Sequence, residues 1–277
     1  MKRLVELTLT PKFDFDVPVE AEIISPDVFA GKPISEIGSL NVWVGNRKTR
    51  LSDAFEIQSS SKTSPETITI VLKGDLSRIR RIGKKMTTGS ILIDGSAGFF
   101  LGEEMSGGSI LVEGDVGSWT GSGMTGGKIE IKGDAGDYLT AGARGSCTGM
   151  KGGILIIHGD AGAELGYWME NGLITVKGSV GQFAGIHMRA GAILIEGNAG
   201  DRAGAGMTGG KIIILGNMNV LPTFFIDDVK NTTKIDGEKV SGPFYVFSGD
   251  VTEGGKGKLF VLKENNAHLS KFEKFIP

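Results

Sequence analysis

The chain has 277 residues, 22% of them charged and 40% hydrophobic, with a formal net charge of −2, which is enough apolar content to bury a core in one or two domains. The near-neutral balance, without a long basic run, argues against nucleic acid as a principal partner, because phosphate binding needs clustered Lys and Arg. No apolar run reaches the ~18 residues of a membrane span, and no charged-then-apolar leader opens the sequence, so the expected location is the cytoplasm.

Residues 1–64 lack any internal repeat and read as a small N-terminal α/β cap: LVELTLT (Leu4–Thr10) has the pattern of a strand, and SPDVFAGKPISEIG (Ser25–Gly38) suggests a short helix and turns. TITIVLKGD (Thr67–Asp75) then carries a strand–Gly–Asp signature that recurs downstream. It reads as a degenerate first copy of a repeat. The short basic cluster from Arg78 to Lys85 fits a solvated edge or a docking patch.

From residue 65 to 219 the repeat governs the sequence. Met86, Met105, Met124, Met150, Met169, Met188 and Met207 stand at intervals of 19, 19, 26, 19, 19 and 19. Aligned on them, the segments GKKMTTGSILIDG, GEEMSGGSILVEG, GSGMTGGKIEIKG, CTGMKGGILIIHG, GYWMENGLITVKG, GIHMRAGAILIEG and GAGMTGGKIIILG share G-x-x-M-x-x-G-x-I-x-I-x-G. The third residue after each Met is glycine (Gly89, Gly108, Gly127, Gly153, Gly172, Gly191 and Gly210), which suggests a positive φ or a close backbone approach. A period-2 strand follows, with inward pairs such as Ile91 and Ile93, Ile110 and Val112, and Ile129 and Ile131. A second glycine ends each strand, and the residues after it, such as Asp115, Asp134 and Asp160, are suited to bonding turn amides. The 45 glycines of the chain, far above the ~7% average, are accounted for largely by this pattern.

A 19-residue unit with one strand cannot bury its own apolar side, whereas stacked copies can. The expected fold is therefore mainly β: a right-handed single-stranded β-helix, or solenoid, of seven repeats, with methionines and isoleucines as interior columns. The 26-residue interval marks a seven-residue insertion, placed in AGARGSCT (Ala141–Thr148) at one corner. Beyond the repeats, residues 220–277 form an irregular C-terminal extension, in which FYVFSGD and KLFVLKE read as strands and the apolar tail (Phe272, Phe275, Ile276) is suited to docking.

Candidate chemistry is sparse. Gly121–Gly126 satisfies G-x-G-x-x-G, but a dinucleotide fingerprint lies between a strand and a helix, whereas here the motif precedes a strand and recurs in register, so it reads as architecture. His158, His187 and His268 do not have metal-ligand spacing. Cys147 is the sole cysteine, which excludes an intrachain disulfide and a self-contained iron–sulfur or zinc-thiolate site, and it lacks a recognisable base. The adjacent Glu103 and Glu104 point differently and make no acid–base pair. No catalytic, cofactor-binding or metal-ligating residue is assigned.

Two features point to contacts. The outward slots between the inward pairs hold Leu92, Leu111, Ile156, Leu194 and Ile213, interrupted by Glu130 and Thr175; a solvated face would be polar there. Either a terminal segment of the same chain or a protein partner covers this stripe. The inserted loop breaks the regularity, and Arg144 is its only charge, which makes it a candidate contact point.

The seven repeats, the AGARGS insertion and the flanking segments together resemble the C subunit of archaeal tungsten- or molybdenum-dependent formylmethanofuran dehydrogenase, over most of the chain. More distantly the pattern is similar to the glycine-rich β-helical C-terminal domain of glutamate synthase. One departure is Cys147, which takes the glycine slot opening the fourth unit. The resemblance implies a scaffold subunit in the first step of methanogenesis, where carbon dioxide is reduced and N-formylmethanofuran is formed. It places the tungsto- or molybdopterin, the 4Fe–4S clusters and a dinuclear metal site in other subunits, and makes the pterin-binding and amidohydrolase-like subunits the partners. Two alternatives stay open: the C subunit of a formyltransferase/hydrolase complex, and a stand-alone structural interaction module.

Overall fold

The computed structural model describes residues 5–60 and 68–277. Leu4, Thr67 and the expected boundary between residues 64 and 65 lie outside the described residues. The described residues are mainly β, built on one 13-stranded sheet and a second sheet of four strands.

The N-terminal part contributes β1 (Val5–Pro11), β2 (Val19–Glu20), α1 (Pro26–Phe29), α2 (Ile34–Ser39), β3 (Asn41–Val44), β4 (Arg47–Arg50), α3 (Leu51–Ala54) and β5 (Phe55–Ser59). It is joined to the repeats by pairing. β6 (Ile68–Lys73) takes β1 as a parallel neighbour, and β1 takes β5 antiparallel, so the N-terminal strands extend the edge of the repeat sheet. β7 (Ile79–Arg80) closes the small sheet in the order β4-β3-β2-β7.

The repeats form β8 (Ser90–Asp94), β9 (Ser106–Val112), β10 (Gly126–Ile131), β11 (Ile154–Ile157), β12 (Leu173–Val176), β13 (Ala192–Ile195) and β14 (Lys211–Ile214). Each pairs parallel with the next at the repeat offset, so equivalent residues face one another: Ile91, Ile110, Ile129, Leu155, Ile174, Ile193 and Ile212 make one column, and Ile93, Val112, Ile131, Ile157, Val176, Ile195 and Ile214 the next. These side chains are buried. β-Branched residues pack well on such a pleated surface, and burying each contributes on the order of 1.5–3 kcal/mol. A second column of parallel bridges runs Leu76, Ala97, Val116, Ala135, Ala161, Val180 and Ala199.

The methionine column is interior as expected. Met86, Met105, Met124, Met150, Met169, Met188 and Met207 have no exposed surface and belong to the same continuous core as the two strand columns. An unbranched, polarisable side chain suits the irregular space between a strand and a turn.

The corner residues explain the Asp/Ser/Asn position of the repeat. Oδ1 of Asp115 accepts the amide of Asp134 at 2.8 Å, Asp134 that of Asp160 at 2.7 Å, Asp160 that of Ser179 at 2.7 Å, and Asn198 that of Asn217 at 2.8 Å. Each turn thus supplies an acceptor to a backbone donor one repeat further on, which would otherwise lack a partner. The expectation of bonding to turn amides is met across repeats rather than within one.

The C-terminal extension continues the sheet. β17 (Gly257–Leu262) pairs parallel with β14, placing Leu259 and Val261 next in the two interior columns. Between them the chain makes the long antiparallel pair β15 (Phe225–Ile235) and β16 (Glu238–Gly249); β15 is not expected from sequence, because its outward residues are polar and its length is set by the partner strand. Asn266, fully buried, donates to Gly216 O at 2.9 Å and Leu262 O at 2.8 Å and accepts from Met218 N at 3.0 Å. The tail then docks as a 3₁₀ segment (Ala267–Phe275), with Leu269 buried, Phe272 edge-on to Phe247 and Phe275 exposed.

Candidate functional site

The seven glycines that follow the repeat methionines by three, Gly89, Gly108, Gly127, Gly153, Gly172, Gly191 and Gly210, have φ between 76° and 107°. With the buried methionines they build the wall on which surface features are displayed. In GSGMTGG, Gly121, Gly123 and Gly127 have positive φ and β10 begins at Gly126. No helix follows, so the amides do not converge as a phosphate cradle does.

The outward stripe is covered at one end. The β15–β16 pair folds over the last repeats: Ile213 is fully buried among Ile235, Phe244, Val246 and Phe260, and Leu173 and Leu194 pack on that cluster. Lys211 Nζ donates to Lys234 O at 2.9 Å, tying the hairpin down, and burial pushes the Lys211 ammonium pKa down. Leu92, Leu111 and Ile156 lie beyond the hairpin and remain half-exposed.

In the middle of that stripe sits a charged cluster. Glu130 pairs with Lys128 at 2.8 Å and with Lys132, and Oε1 lies 3.0 Å from His158 Nε2. Hydrogen bonds from Lys128 and Lys132, against a smaller opposing effect of burial and with His158 adding to them, hold the Glu130 carboxyl at about 2. The carboxylate is thus committed to its neighbours across the range where a general acid would have to titrate.

A further corner carries rings. Phe100 stacks on Trp119 at 5.4 Å and Trp119 on Tyr138 at 4.6 Å, one ring per repeat, and the Arg81 guanidinium lies 4.6 Å over Phe100. Arg144, from the inserted loop, lies over the Trp119 ring at 5.5 Å. All four backbone positions of the column, Arg81, Phe100, Trp119 and Tyr138, have φ of 58–63°, a conformation uncommon for non-glycine residues. A second stack pairs His187 with Trp168 at 4.4 Å, with Arg189 over Trp168 at 4.6 Å. Motif alignment on the methionines misses these rings; the signal that could find them is the 19-residue spacing of Arg81, Phe100, Trp119 and Tyr138.

The remaining polar candidates are separated. His158 belongs to the Glu130 cluster, His187 to the Trp168 stack, and His268 lies 3.1 Å from Met218 O. Glu103 faces Arg81 and Lys84, while Glu104 pairs with Lys85 at 3.4 Å. The bond that Arg81 donates to the Glu103 carboxylate raises the Arg81 pKa further. The basic run from Arg78 to Lys85 is largely neutralised, since Glu20 and Glu22 also pair with Arg80, Arg81 and Lys84. Cys147 is exposed on the inserted loop. Among the described residues no three His, Cys, Asp or Glu side chains are grouped to hold a metal, and a single thiol does not suit an iron–sulfur cluster. No helix among the described residues is long and apolar enough to cross a membrane.

No protein-family model matches the chain. The chain is 33% identical to a chain in the crystal structure of the formyltransferase/hydrolase complex (FhcABCD) from Methylorubrum extorquens in complex with methylofuran, with a TM-score of 0.80, covering 92% of this chain and 99% of that one. It is also 45% identical over 95 residues to the C subunit of molybdenum-containing formylmethanofuran dehydrogenase 1 from Methanosarcina barkeri, covering 34% of this chain and 32% of the relative. The chain belongs to the family of formylmethanofuran dehydrogenase C subunits. The C subunit of tungsten-containing formylmethanofuran dehydrogenase 2 from Methanothermobacter wolfeii is 42% identical over 96 residues, 35% of this chain and 36% of that protein. The matched region spans about a third of the length of these two curated relatives.

Proposed function

We propose that the chain is a non-catalytic scaffold subunit of a formylmethanofuran dehydrogenase complex, which reduces carbon dioxide and forms N-formylmethanofuran. The observation that carries the dehydrogenase reading is the identity of 45% and 42% to dehydrogenase C subunits, while the likeness over 92% of the chain, at 33% identity, to a component of the formyltransferase/hydrolase complex supports the role of a subunit in a larger assembly. The absence of a grouped set of metal ligands among the described residues is compatible with tungsto- or molybdopterin, 4Fe–4S clusters and a dinuclear metal site residing in pterin-binding and amidohydrolase-like partners.

In this reading the chain is a right-handed single-stranded β-helix over residues 65–219, with residues 1–64 and 220–277 as cap and extension. The in-register parallel pairing at the repeat offset and the second column of bridges support it. Partners contact Leu92 and Leu111 on the open part of the stripe, Leu194 at the rim of the hairpin, and Arg144 on the inserted loop.

A second reading is the C subunit of a formyltransferase/hydrolase complex, favoured by the coverage of the Methylorubrum likeness. Purification of the tagged chain with its native partners, followed by metal analysis, separates the two. Tungsten or molybdenum with iron supports the dehydrogenase; a formyltransferase without them supports the second reading. Activity of the isolated chain on formylmethanofuran would overturn both scaffold readings.

A further inference from the structure

The inserted loop and the ring column enclose a cleft of about 150 Å³ lined by Trp119, Tyr138, Arg144, Glu164 and Tyr167 and floored by small loop residues. Resting on the scaffold reading, we propose that this cleft seats a carboxylate-bearing loop of a partner subunit, held by the Arg144 guanidinium.

The charges of the cleft define its occupant. Of the arginines stacked on corner rings, Arg80, Arg81 and Arg189 each have a carboxylate partner. Arg202, over Phe183 at 5.3 Å, borders no part of this cleft. Arg144 is exposed and has neither an ion pair nor a hydrogen bond among the described residues, although its guanidinium lies over the Trp119 ring. The contact with the ring does not use the guanidinium N–H groups in any hydrogen bond, and their fork matches a carboxylate. Trp119 is itself backed by Tyr138 at 4.6 Å, so the platform beneath Arg144 is set before binding.

Size and the opposite wall narrow the choice. Small-molecule and cofactor sites run to about 300–1,000 Å³; this cleft accommodates a side chain, not a cofactor. Glu164 also lines it, without an ion pair among the described residues, and would repel a free polyanion. A peptide segment satisfies both walls, with a carboxylate for Arg144 and a backbone or hydroxyl donor for Glu164. Ala143 and Gly145, exposed in the loop, let that segment's backbone come close. Trp119, Tyr138 and Glu164 hold φ of 61°, 58° and 58°, a cost that non-glycine residues sustain where the surrounding structure or a function requires it.

The test places a benzoylphenylalanine photo-cross-linker at position 143 of the full chain, co-expressed with its native partner subunits, and is paired with Arg144→Glu. The expected result is a cross-link to a co-purified subunit within a few residues of an Asp or Glu. Arg144→Glu then lowers retention of that subunit at least fivefold at near-physiological salt without moving the chain's melting temperature, and reversing the partner's carboxylate to Lys restores it. Cross-links confined to this chain or a second copy, a partner peptide without an acidic residue, or a smaller loss of retention would overturn the inference while leaving an assembled complex, and so the scaffold reading, intact. Failure of the wild-type chain to assemble overturns both.

Discussion

Met124 and Gly153 share one volume across adjacent repeats: the Met124 methyl lies 2.6 Å from where a Cβ on Gly153 would stand, and Gly153 has φ of +95°. The same relationship joins Met86 to Gly108, Met105 to Gly127, Met150 to Gly172, Met169 to Gly191 and Met188 to Gly210. Met207 ends the series by packing against Gly257, at the start of β17. From Gly108 to Gly210 the glycine that follows each methionine by three is required twice, by its left-handed backbone and by the methionine and backbone of the preceding repeat, whereas at Gly89 a Cβ would meet Pro26 and Ile68 O instead. Gly153→Ala should therefore cost about 2–5 kcal/mol, combining the left-handed penalty with overpacking. Gly145, at +80° with nothing within 4 Å, isolates the first effect, and Gly145→Ala should cost about 1–2 kcal/mol. Urea unfolding of the two variants checks the difference; equal losses would refute the coupling to Met124.

Ile129 and Ile131 are fully buried in the two interior columns. Replacing either with Ala should destabilise the chain by about 2–5 kcal/mol, measured by denaturant unfolding. Losses near zero would contradict the inward assignment.

The outward stripe makes a contrasting case. Ile213, under the hairpin, has no exposed surface, so Ile213→Glu should unfold or strongly destabilise the isolated chain. Leu92→Glu and Leu111→Glu, at half-exposed positions on the open part, should leave the melting temperature nearly unchanged and release partners in a pull-down. Loss of stability in these two would assign the open stripe to intrachain packing.

Much of this arrangement is legible in the sequence, for physical reasons. A 19-residue offset, broken once by the 26-residue interval between Met124 and Met150, fixes which residues stack, so the identities of the Met, Gly and Ile columns follow from alignment on the methionines. The hairpin over Ile213 is not legible, because residues 225–235 alternate exposed charges with few apolar positions and reveal their pairing only beside β16. The ring column is hidden because Phe100, Trp119 and Tyr138 lie outside the Met-to-Gly motif, and the insertion shifts Tyr138 to twelve residues before Met150. The charges at Glu130 read as interruptions of the stripe, and only the fold brings His158 across from the next repeat to join them.

Glu130 predicts a pH dependence. Its carboxyl sits at about 2 against an ordinary 4.5, so the folded state binds fewer protons than the unfolded one in this interval. The stabilisation is present above about pH 4.5 and is lost as the pH falls toward about 2. Unfolding of wild type and Glu130→Gln at pH 6 and pH 3 should show a smaller pH dependence in the variant; identical slopes would contradict the pairing.

Asn266 ties β17 and the tail to the end of the repeats through three hydrogen bonds. Asn266→Ala leaves buried backbone groups without partners, each costing about 1–3 kcal/mol. Thermal melting should fall, and hydrogen exchange at Met218 should accelerate. An unchanged exchange rate would place the anchoring elsewhere.

The scaffold reading is tested most directly by purifying the tagged full chain with its native partners and assaying the complex and the isolated chain side by side for formylmethanofuran chemistry. Activity and metal should travel with the co-purified subunits, and the chain alone should have neither. Formylmethanofuran turnover by the isolated chain, or its recovery without any partner subunit, would contradict that reading.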